Sequence, residues 1–436
     1  MRPEAILILH EINGMKRVVI IGGGFAGLAL AKGLAGSTGF QVTLVDRNNY
    51  SFFPPLLYQV ATGYLEPSSI CYPYRRLWRN KGNISFLMAE FLKVDVQTKK
   101  VLFSTGEVDY DYLVFAAGTR TNYFELSNVQ EAARPMKTLD DALNLRNHFL
   151  QVMEQAARAR DDNERKKLMT IVVAGAGPTG VEVSGMLAEM RKNVVPKDYP
   201  ELREYEHLSH IYLVDGGKNV LAAMSERSQT DTHGSLTKMG VEIKLGLHVK
   251  DYLDGSVLLD NGETIEARTL VWAAGIVSST YEGLPEGSYG RGKRLIVDQY
   301  NEIIGLQDVF AIGDTCLQVS DARFPGGYPQ LAQVAIQQGS RLAKNLAAKA
   351  EGNTLQPFLY FDKGTMAIFG WNKAVVDLPK PRLHLNGFPA WLVWIFIHLL
   401  FLINYKNRIR TFYNWTTAYF SKDQSLRMII RPDKRP

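Results

Sequence analysis

Cysteine is scarce in this chain, and its scarcity excludes several kinds of protein. The 436 residues include only Cys71 and Cys316, which are 245 positions apart and form no Cys-x-x-Cys motif. This spacing excludes a tandem redox dithiol, a zinc site built from cysteines and a disulfide scaffold. It indicates a reducing compartment, and we predict no metal site.

We expect no secretory leader at residues 1–14, and the chain has no net charge outside its C-terminal tail. Residues 1–14 have neither a basic lead nor a small-residue cleavage site, so we interpret them as a disordered extension. The net charge of +6 comes from 386–436, where eight Lys and Arg accompany two Asp. The rest of the chain is therefore neutral overall, and no nucleic-acid partner is predicted.

One sequence pattern occurs twice, and its first copy runs from Arg17 to Asp46. A buried strand leads into a glycine-rich turn, a helix with apolar residues at helical spacing, and a second strand that ends in an acid. This order is the dinucleotide-binding βαβ unit, in which the glycines permit a tight turn, close approach of a pyrophosphate and helix–strand packing. The expected binding residues are Gly22, Gly24, Gly27 and Asp46.

The second copy runs from Met169 to Asp215 and has the same order of elements. Its expected binding residues are Gly175, Gly177, Gly180 and Asp215. Each copy is followed by an apolar strand that ends in Ala-Gly, at 112–118 and at 269–275. Two dinucleotide sites in one chain predict a flavin at one and a nicotinamide at the other, and hence redox chemistry.

Two further segments extend this pattern. Residues 54–63 contain a double proline, which predicts irregular structure, and we expect this loop to form a wall of the flavin site. A strand over 308–312 ends at Gly313-Asp314 and returns the chain to the first domain. We therefore predict an α/β fold with two Rossmann-like domains, the second inserted in the first, followed by an amphipathic helical membrane anchor.

The anchor prediction depends on residues 388–403, which contain His398 as their one polar member. A helix of this length spans about 24 Å, less than the roughly 30 Å hydrocarbon core of a bilayer. Its tryptophans and the cations that follow favour a monotopic anchor over 388–430 that lies in the membrane surface. A dimer seam or a core helix is the alternative.

Together these residues resemble the type II NADH:quinone oxidoreductases, which are single-subunit, non-proton-pumping NADH dehydrogenases of the two-dinucleotide-binding-domain flavoprotein superfamily. The resemblance covers 16–430. The motifs that carry it are the two glycine motifs, PPLLYQVATG at 54–63, AIGD at 311–314, AQVAIQQG at 332–339 and the aromatic, basic tail.

The resemblance implies non-covalent FAD on the first copy and NADH on the second. The implied further contacts are Ala117, Gly118, Thr119, Gly313 and Asp314 for FAD, and Ala274 and Gly275 for NADH. Asp215 would repel a 2′-phosphate, which predicts NADH over NADPH. Glu182, expected in the first turn of its helix, is implied to be a catalytic proton or charge relay, although the helix dipole alone also favours an acid there.

Gln333 and Gln337 are four residues apart and share a helix face. A quinone head group offers only carbonyl acceptors, so amide donors beside an apolar slot suit it, whereas glutamines are otherwise ordinary surface residues. The resemblance implies that Gln333 is a catalytic contact of the head group. Ile336, Gln337, Lys363 and Met366 complete the implied quinone site.

The sequence therefore predicts a respiratory flavoenzyme that transfers a hydride from NADH to FAD and two electrons to a membrane quinone, without pumping protons. It is expected on the cytoplasmic face of the cell membrane, in contact with lipid, and a homodimer is allowed. The predicted domains are 15–137 with 291–385 for FAD, 138–290 for NADH, and 386–436 for the C-terminal helices.

Three alternatives stay open. A sulfide:quinone oxidoreductase would need a reactive cysteine pair, and a soluble ferredoxin or rubredoxin reductase would have no use for the tail. A non-catalytic flavin-binding redox sensor would bind its ligands without turnover.

Overall fold

The computed structural model describes residues 14–421 and 426–430. The predicted N-terminal extension lies outside the described residues, apart from Gly14. The described residues form two compact units. Of the described residues, unit 1 comprises 14–51, 72–120 and 276–362, and unit 2 comprises 52–71, 121–275, 363–421 and 426–430.

The helices and strands are numbered in chain order. The α-helices are α1 (Phe25–Leu34), α2 (Leu57–Ala61), α3 (Pro67–Ile70), α4 (Tyr74–Leu77), α5 (Ser127–Ala132), α6 (Leu139–Arg158), α7 (Asp162–Met169), α8 (Pro178–Asn193), α9 (Val195–Asp198), α10 (Glu226–Lys238), α11 (Ala332–Ala350), α12 (Gly387–Phe401) and α13 (Tyr405–Ser421). The strands up to residue 121 are β1 (Lys16–Ile21), β2 (Phe40–Asp46), β3 (Tyr50–Phe52), β4 (Cys71–Pro73), β5 (Ile84–Met88), β6 (Phe91–Asp95), β7 (Lys100–Phe103), β8 (Gly106–Asp109), β9 (Tyr112–Phe115) and β10 (Thr119–Thr121). The later strands are β11 (Arg134–Pro135), β12 (Ile171–Ala174), β13 (Ile211–Asp215), β14 (Val241–Leu245), β15 (Val249–Leu253), β16 (Ser256–Leu259), β17 (Thr264–Glu266), β18 (Thr269–Trp272), β19 (Ile276–Ser278), β20 (Leu295–Val297), β21 (Val309–Ala311), β22 (Cys316–Gln318), β23 (Thr365–Gly370), β24 (Lys373–Pro379) and β25 (Arg382–Asn386).

Unit 1 contains a five-stranded parallel sheet in the order β21-β9-β1-β2-β5. The apolar run of β1 is fully buried from Val18 to Ile21, as expected for a central strand covered on both faces. Helix α1 packs directly on α11, because Gly339 faces the carbonyl oxygen of Ala26 with no room for a side chain. This close packing brings the first turn of α1 next to α11.

Unit 2 repeats the five-stranded parallel sheet in the order β11-β18-β12-β13-β14. It adds an antiparallel sheet β23-β24-β25, against which α12 packs, and α13 packs on α3. The predicted pair of Rossmann-like sheets is confirmed. Over 14–421 and 426–430, no helix is both long enough and apolar enough to cross a bilayer.

The compact units divide the chain differently from the predicted domains. Segments 52–71, 121–137 and 363–385 lie in unit 2, and 276–290 lies in unit 1. The physical reason is side-chain packing, because α2 packs on α6 and β23 packs on α8. The assignment of domains by bound ligand stays a prediction.

Candidate functional site

In unit 1 the three predicted glycines of the first copy serve three different purposes. Gly22 has a φ of +106°, and a Cβ there would lie 2.5 Å from the carbonyl oxygen of Ala116. A Cβ on Gly27 would overlap the carbonyl oxygen of Gly22, so that glycine permits close packing of α1 on β1. Gly24 has open space in front of it, with no atom within 4 Å of a built Cβ. That space suits a pyrophosphate at the N-terminus of α1.

The carboxylate of Asp46 fixes the glycine loop in addition to any ribose contact. Its two oxygens accept the N–H groups of Gly23 and Asn48, each at 2.8 Å. Burial raises the pKa of Asp46, although these two N–H bonds oppose the shift. Sequence reasoning missed Gly23 itself, whose carbonyl accepts the hydroxyl of Tyr74 at 2.8 Å and which has no room for a side chain beside that ring.

The turn at Gly313-Asp314 lies beside the same loop. Gly313 has a φ of +73°, and a Cβ there would lie 3.0 Å from the side chain of Ala26 in the first turn of α1. Its N–H donates to Gln338 at 2.7 Å, and the side chain of Gln330 donates to the carbonyl of Asp314 at 2.9 Å. Sequence reasoning missed Gln338. Helical periodicity could have identified it, because it places Gln338 on the buried face of α11.

The predicted contacts at 117–119 follow β9, which is the neighbour of β1 in the sheet. A Cβ on Gly22 would lie 2.6 Å from the Cα of Ala117. Unit 1 therefore contains all the individual residues predicted to contact FAD, whereas the predicted flavin wall at 54–63 lies in unit 2. Their binding role stays a prediction.

Unit 2 repeats this arrangement at the second copy. Gly175 has a φ of +104°, and its Cβ would lie 2.8 Å from the Cα of Ala274, while Gly177 has open space in front of it. The carboxylate of Asp215 accepts the N–H groups of Ala176 and Gly217, each at 2.6 Å. The acid again holds its own glycine loop. Of the remaining predicted residues of this site, Gly180 is the third residue of α8 and Gly275 lies three residues after the end of β18.

The predicted place of Glu182 in the first helical turn is wrong. Helix α8 begins at Pro178, inside the glycine motif, so Glu182 is its fifth residue and starts the second turn. The helix dipole acts mainly on the first turn and therefore explains this acid less well than expected. Burial raises the pKa of Glu182 well above its ordinary value, and the backbone N–H of Ile368 opposes that shift.

The contact between Glu182 and Ile368 depends on a glycine that sequence reasoning missed. Gly185 lies one turn after Glu182 on α8, and a Cβ there would overlap the carbonyl oxygen of Phe369 in β23. Because α8 and β23 approach this closely, a backbone amide of β23 reaches the carboxyl group.

The predicted irregular structure over 54–63 is also wrong. A 3-10 turn at Pro54–Leu56 leads into α2, because proline is tolerated at the first positions of a helix, where its missing N–H leaves no bond unmade. Tyr58 on α2 is buried, and burial together with the charge of Glu182 raises the pKa of its phenol well above the ordinary value. Its segment belongs to unit 2, and its role as a flavin wall stays a prediction.

The predicted quinone residues fall in both units. Gln333, Ile336 and Gln337 are half-buried on α11 in unit 1. The amide of Gln337 is engaged with Phe361, to whose carbonyl it donates at 2.9 Å and whose N–H it accepts at 3.1 Å. In unit 2, Lys363 is exposed just before β23 and Met366 is half-buried within it. Each set is thus placed in its own unit, and the joint site stays a prediction.

Comparison with known proteins gives consistent results. The model of the pyridine nucleotide-disulphide oxidoreductase family matches residues 16–339. The chain is 35% identical over 420 residues to a type II NADH:quinone oxidoreductase, Ndh, of Mycobacterium tuberculosis, covering 93% of this chain and 88% of that protein. It is also 35% identical over 429 residues to the NdhA protein of that organism, covering 94% and 88%. The solved structure of NDH2 from Plasmodium falciparum in complex with NADH shares the fold, with a TM-score of 0.85 at 21% identity, and the match covers 95% of this chain and all of that one.

Proposed function

We propose a function from one premise: the chain belongs to the type II NADH:quinone oxidoreductases, within the pyridine nucleotide-disulphide oxidoreductase family. The protein catalyses NADH + H⁺ + quinone → NAD⁺ + quinol and does not pump protons. When bound, FAD supplies the redox chemistry by accepting a hydride from NADH and passing two electrons to the quinone. The observation that carries this function is the duplicated glycine loop held by its own acid, once in each unit.

FAD is held by unit 1. The open space at Gly24 and the N–H groups at the start of α1 suit its pyrophosphate, and Asp46 lies at the end of β2, where a ribose is expected. Asp314 offers a carboxylate for a ribityl hydroxyl. The N-terminal end of α11 favours negative charge nearby, which suits a cofactor that gains electrons.

NADH is held by unit 2. Gly177 leaves room for its pyrophosphate, and Asp215 accepts the hydroxyls of the adenine ribose. Because that carboxylate is already fixed by the N–H groups of Ala176 and Gly217, it cannot turn away from a 2′-phosphate. The charge repulsion therefore favours NADH over NADPH.

Glu182 holds a proton close to the nicotinamide. Burial raises the pKa of its carboxyl group well above the ordinary value, which favours the protonated form. The overall reaction consumes one proton together with NADH. A carboxyl that is protonated but close to a stabilising N–H at Ile368 is suited to release and recover that proton.

The quinone head group accepts a hydrogen bond from the amide of Gln333, and Ile336 and Met366 are apolar walls. Lys363 provides a cation at the edge of this site. Gln337, whose amide is engaged with Phe361, holds the chain that leads to Lys363.

The C-terminal helices bind the membrane surface. Helix α13 has an inverted pattern, because it buries the polar Asn407 and Thr411 but exposes Ile409 and Phe412 by 49% and 58%. The other large apolar side chains exposed on α12 and α13 include Phe388, Leu392, Phe396, Leu400, Phe401, Tyr405, Tyr413 and Phe420. An apolar surface of this size, flanked by cations, suits a lipid headgroup boundary on the cytoplasmic face. A homodimer through this face is the alternative occupant.

The experiment that tests this function separates the two half-reactions by stopped-flow. NADH should bleach the flavin of the purified protein, and quinone in detergent should restore it. Gln333→Ala should lower the rate of the quinone-dependent step by about tenfold, the loss of one good hydrogen bond, and leave the NADH step unchanged. A loss of both steps together would contradict the placement of Gln333.

The sulfide:quinone alternative is disfavoured by the state of the two thiols. Burial raises the pKa of Cys316 to about 11 and that of Cys71 to about 12. Both thiols are therefore protonated near neutral pH and are poor nucleophiles. Sulfide-dependent reduction of quinone by the purified protein would reverse this conclusion.

A further inference from the structure

A chain of buried polar side chains begins on the C-terminal helix α13 and ends on α2. The indole N–H of Trp415 donates to the side-chain oxygen of Gln59 at 2.6 Å. The amide nitrogen of Gln59 donates in turn to the hydroxyl oxygen of Tyr58 at 2.8 Å. The three side chains are almost fully buried, with 6%, 5% and 2% of their surfaces exposed. Bonds of this kind are costly to break because water cannot replace them.

The chemistry of these groups fixes the direction of every bond in the chain. An indole can only donate, so the oxygen of the Gln59 amide must face Trp415 and its nitrogen must face Tyr58. The hydroxyl oxygen of Tyr58 is therefore an acceptor from Gln59. Its hydrogen remains available for an acceptor on another side. Through Gln59, Trp415 thus determines which way a tyrosine proton can point.

The backbone of α2 cannot move away from this arrangement. The carbonyl of Gln59 accepts the N–H groups of Tyr64 and Leu65, at 2.7 and 3.1 Å. A second bond from α13 reaches the same segment, because Asn407 donates to the carbonyl of Cys71 at 2.9 Å. Helix α13 therefore holds the segment 52–71 at two places.

The ionisable group whose charge acts on the Tyr58 hydroxyl is Glu182. Helix α2 packs on α6 and on α8, which carries Glu182, and the charge of this carboxyl raises the pKa of Tyr58. Glu182 also meets the N–H of Ile368 in β23. The Glu182 carboxyl thus faces one titratable side chain from α2, which is Tyr58, and one backbone amide from β23, which is that of Ile368.

We propose that Trp415 is a positioning residue for the reaction: through Gln59 it directs the hydroxyl hydrogen of Tyr58 toward the carboxyl of Glu182, through one bridging water. A hydrogen bond donated to the ionised carboxyl stabilises it and lets it release its proton more readily. This inference rests on the proposed function, because it assumes that Glu182 acts beside the nicotinamide. The inference links α13, which has the exposed apolar face, to the protonation of Glu182 on α8.

The test uses Trp415→Phe, which removes the N–H and keeps an aromatic ring. Trp394→Phe is the matched control. The ring of Trp394 lies 5.6 Å from that of Trp415, it is buried away from the exposed face, and its indole N–H has no hydrogen-bond partner in the described chain. The two variants therefore lose equal ring area, but only one loses a hydrogen bond.

The measurement is the pH dependence of flavin reduction by NADH in the holoenzyme. Without Trp415 the Gln59 amide can rotate, and Tyr58 can donate to its oxygen instead of toward Glu182. The carboxylate then loses a donor, so the midpoint of the pH profile should move up by about one pH unit, the effect of one hydrogen bond to a charged group. Tyr58→Phe should give the same shift, and Trp394→Phe should give none.

The double variant decides whether Trp415 acts through Tyr58. In the Tyr58→Phe background, Trp415→Phe should cause no further shift, since the group it directs is absent. Additive shifts, or a Trp415→Phe profile equal to that of Trp394→Phe, would overturn the inference. Should Trp415→Phe fail to retain flavin, Gln59→Met, which breaks the same chain at its middle member, should give the shift of Tyr58→Phe, and an unshifted profile would overturn the inference. A wild-type protein that NADH does not reduce would instead overturn the proposed function.

Discussion

Replacing Gly185 with alanine should destabilise the protein, although alanine is the better helix former. A built Cβ on Gly185 overlaps the carbonyl oxygen of Phe369 and lies 2.6 Å from its carbonyl carbon. These are backbone atoms of β23 and cannot rotate away. The gain in helix propensity is about 1 kcal/mol, whereas overpacking of this kind costs about 1–3 kcal/mol, toward the upper end when the clash is with backbone. We therefore expect a net loss of about 1–2 kcal/mol.

Gly234→Ala is the matched control for this prediction. Gly234 lies inside α10 of the same unit, and a Cβ there meets no atom within 4 Å. Here the gain in helix propensity is unopposed, so thermal unfolding of the two holoenzyme variants should shift in opposite directions. At about 2–4 °C per kcal/mol for a unit of this size, the midpoints should differ by about 4–12 °C. A Gly185→Ala variant as stable as Gly234→Ala would refute the reasoning.

The same substitution should also alter the NADH half-reaction. Separating β23 from α8 takes the N–H of Ile368 away from Glu182, and that N–H lowers the pKa of the carboxyl. Its loss should raise the pKa further and move the pH profile of flavin reduction upward. Gly234→Ala should leave this profile unchanged.

Two further predictions concern the stability and the membrane contact of unit 2. Burial alone would lower the pKa of His384, but bonds to Asp377 at 3.0 Å and Asp231 at 2.9 Å outweigh it and raise the pKa. In chemical unfolding, the free energy of unfolding of wild type should exceed that of His384→Gln by about 1–3 kcal/mol. This difference should be complete below pH about 6.5 and decline as the pH rises through the pKa of His384 in the folded protein. A difference that grows with pH would contradict this prediction. Phe412→Glu should weaken flotation with lipid vesicles by about tenfold or more without slowing flavin reduction by NADH, and unchanged flotation would contradict a lipid contact there.

The two Rossmann-like sheets could be predicted because each pattern is local. Strand, glycine loop, helix and acid follow one another in Arg17–Asp46, so the order of residues alone indicates the structure. The position of Glu182 was predicted one turn too early for a related reason. The glycine motif itself contains the start of α8, and a pattern of residue types does not mark where helical hydrogen bonding begins.

The contacts of the candidate site could not be predicted in the same way, because their partners are distant in the chain. Tyr74 follows Gly23 by 51 positions, and β23 meets α8 from the far end of the sequence. Gly185 looks like an ordinary glycine inside a helix, and only the strand that packs on it explains why alanine is absent. Gln59 and Trp415, separated by 356 positions, are likewise paired only by the fold.

The first glycine loop shows what such distant partners contribute. The N–H of Gly23 donates to Asp46 and its carbonyl accepts the hydroxyl of Tyr74, so both backbone polar groups of this residue are satisfied. Glycine and acid are visible in the sequence pattern, but the third partner comes from outside it. The turn at Gly23 is therefore held by two other parts of unit 1, the end of β2 and α4.

The second loop reaches the same state with a different third partner. The N–H of Ala176 donates to Asp215, as in the first copy, but its carbonyl accepts the backbone N–H of Leu221 at 2.8 Å instead of a tyrosine hydroxyl. Two unrelated donors thus fix the same carbonyl in the two copies, which indicates that the geometry of the loop, and not the identity of the donor, is what each site requires. A loop fixed in this way need not be ordered by the dinucleotide, so the affinity of each site is not reduced by the entropy of ordering it.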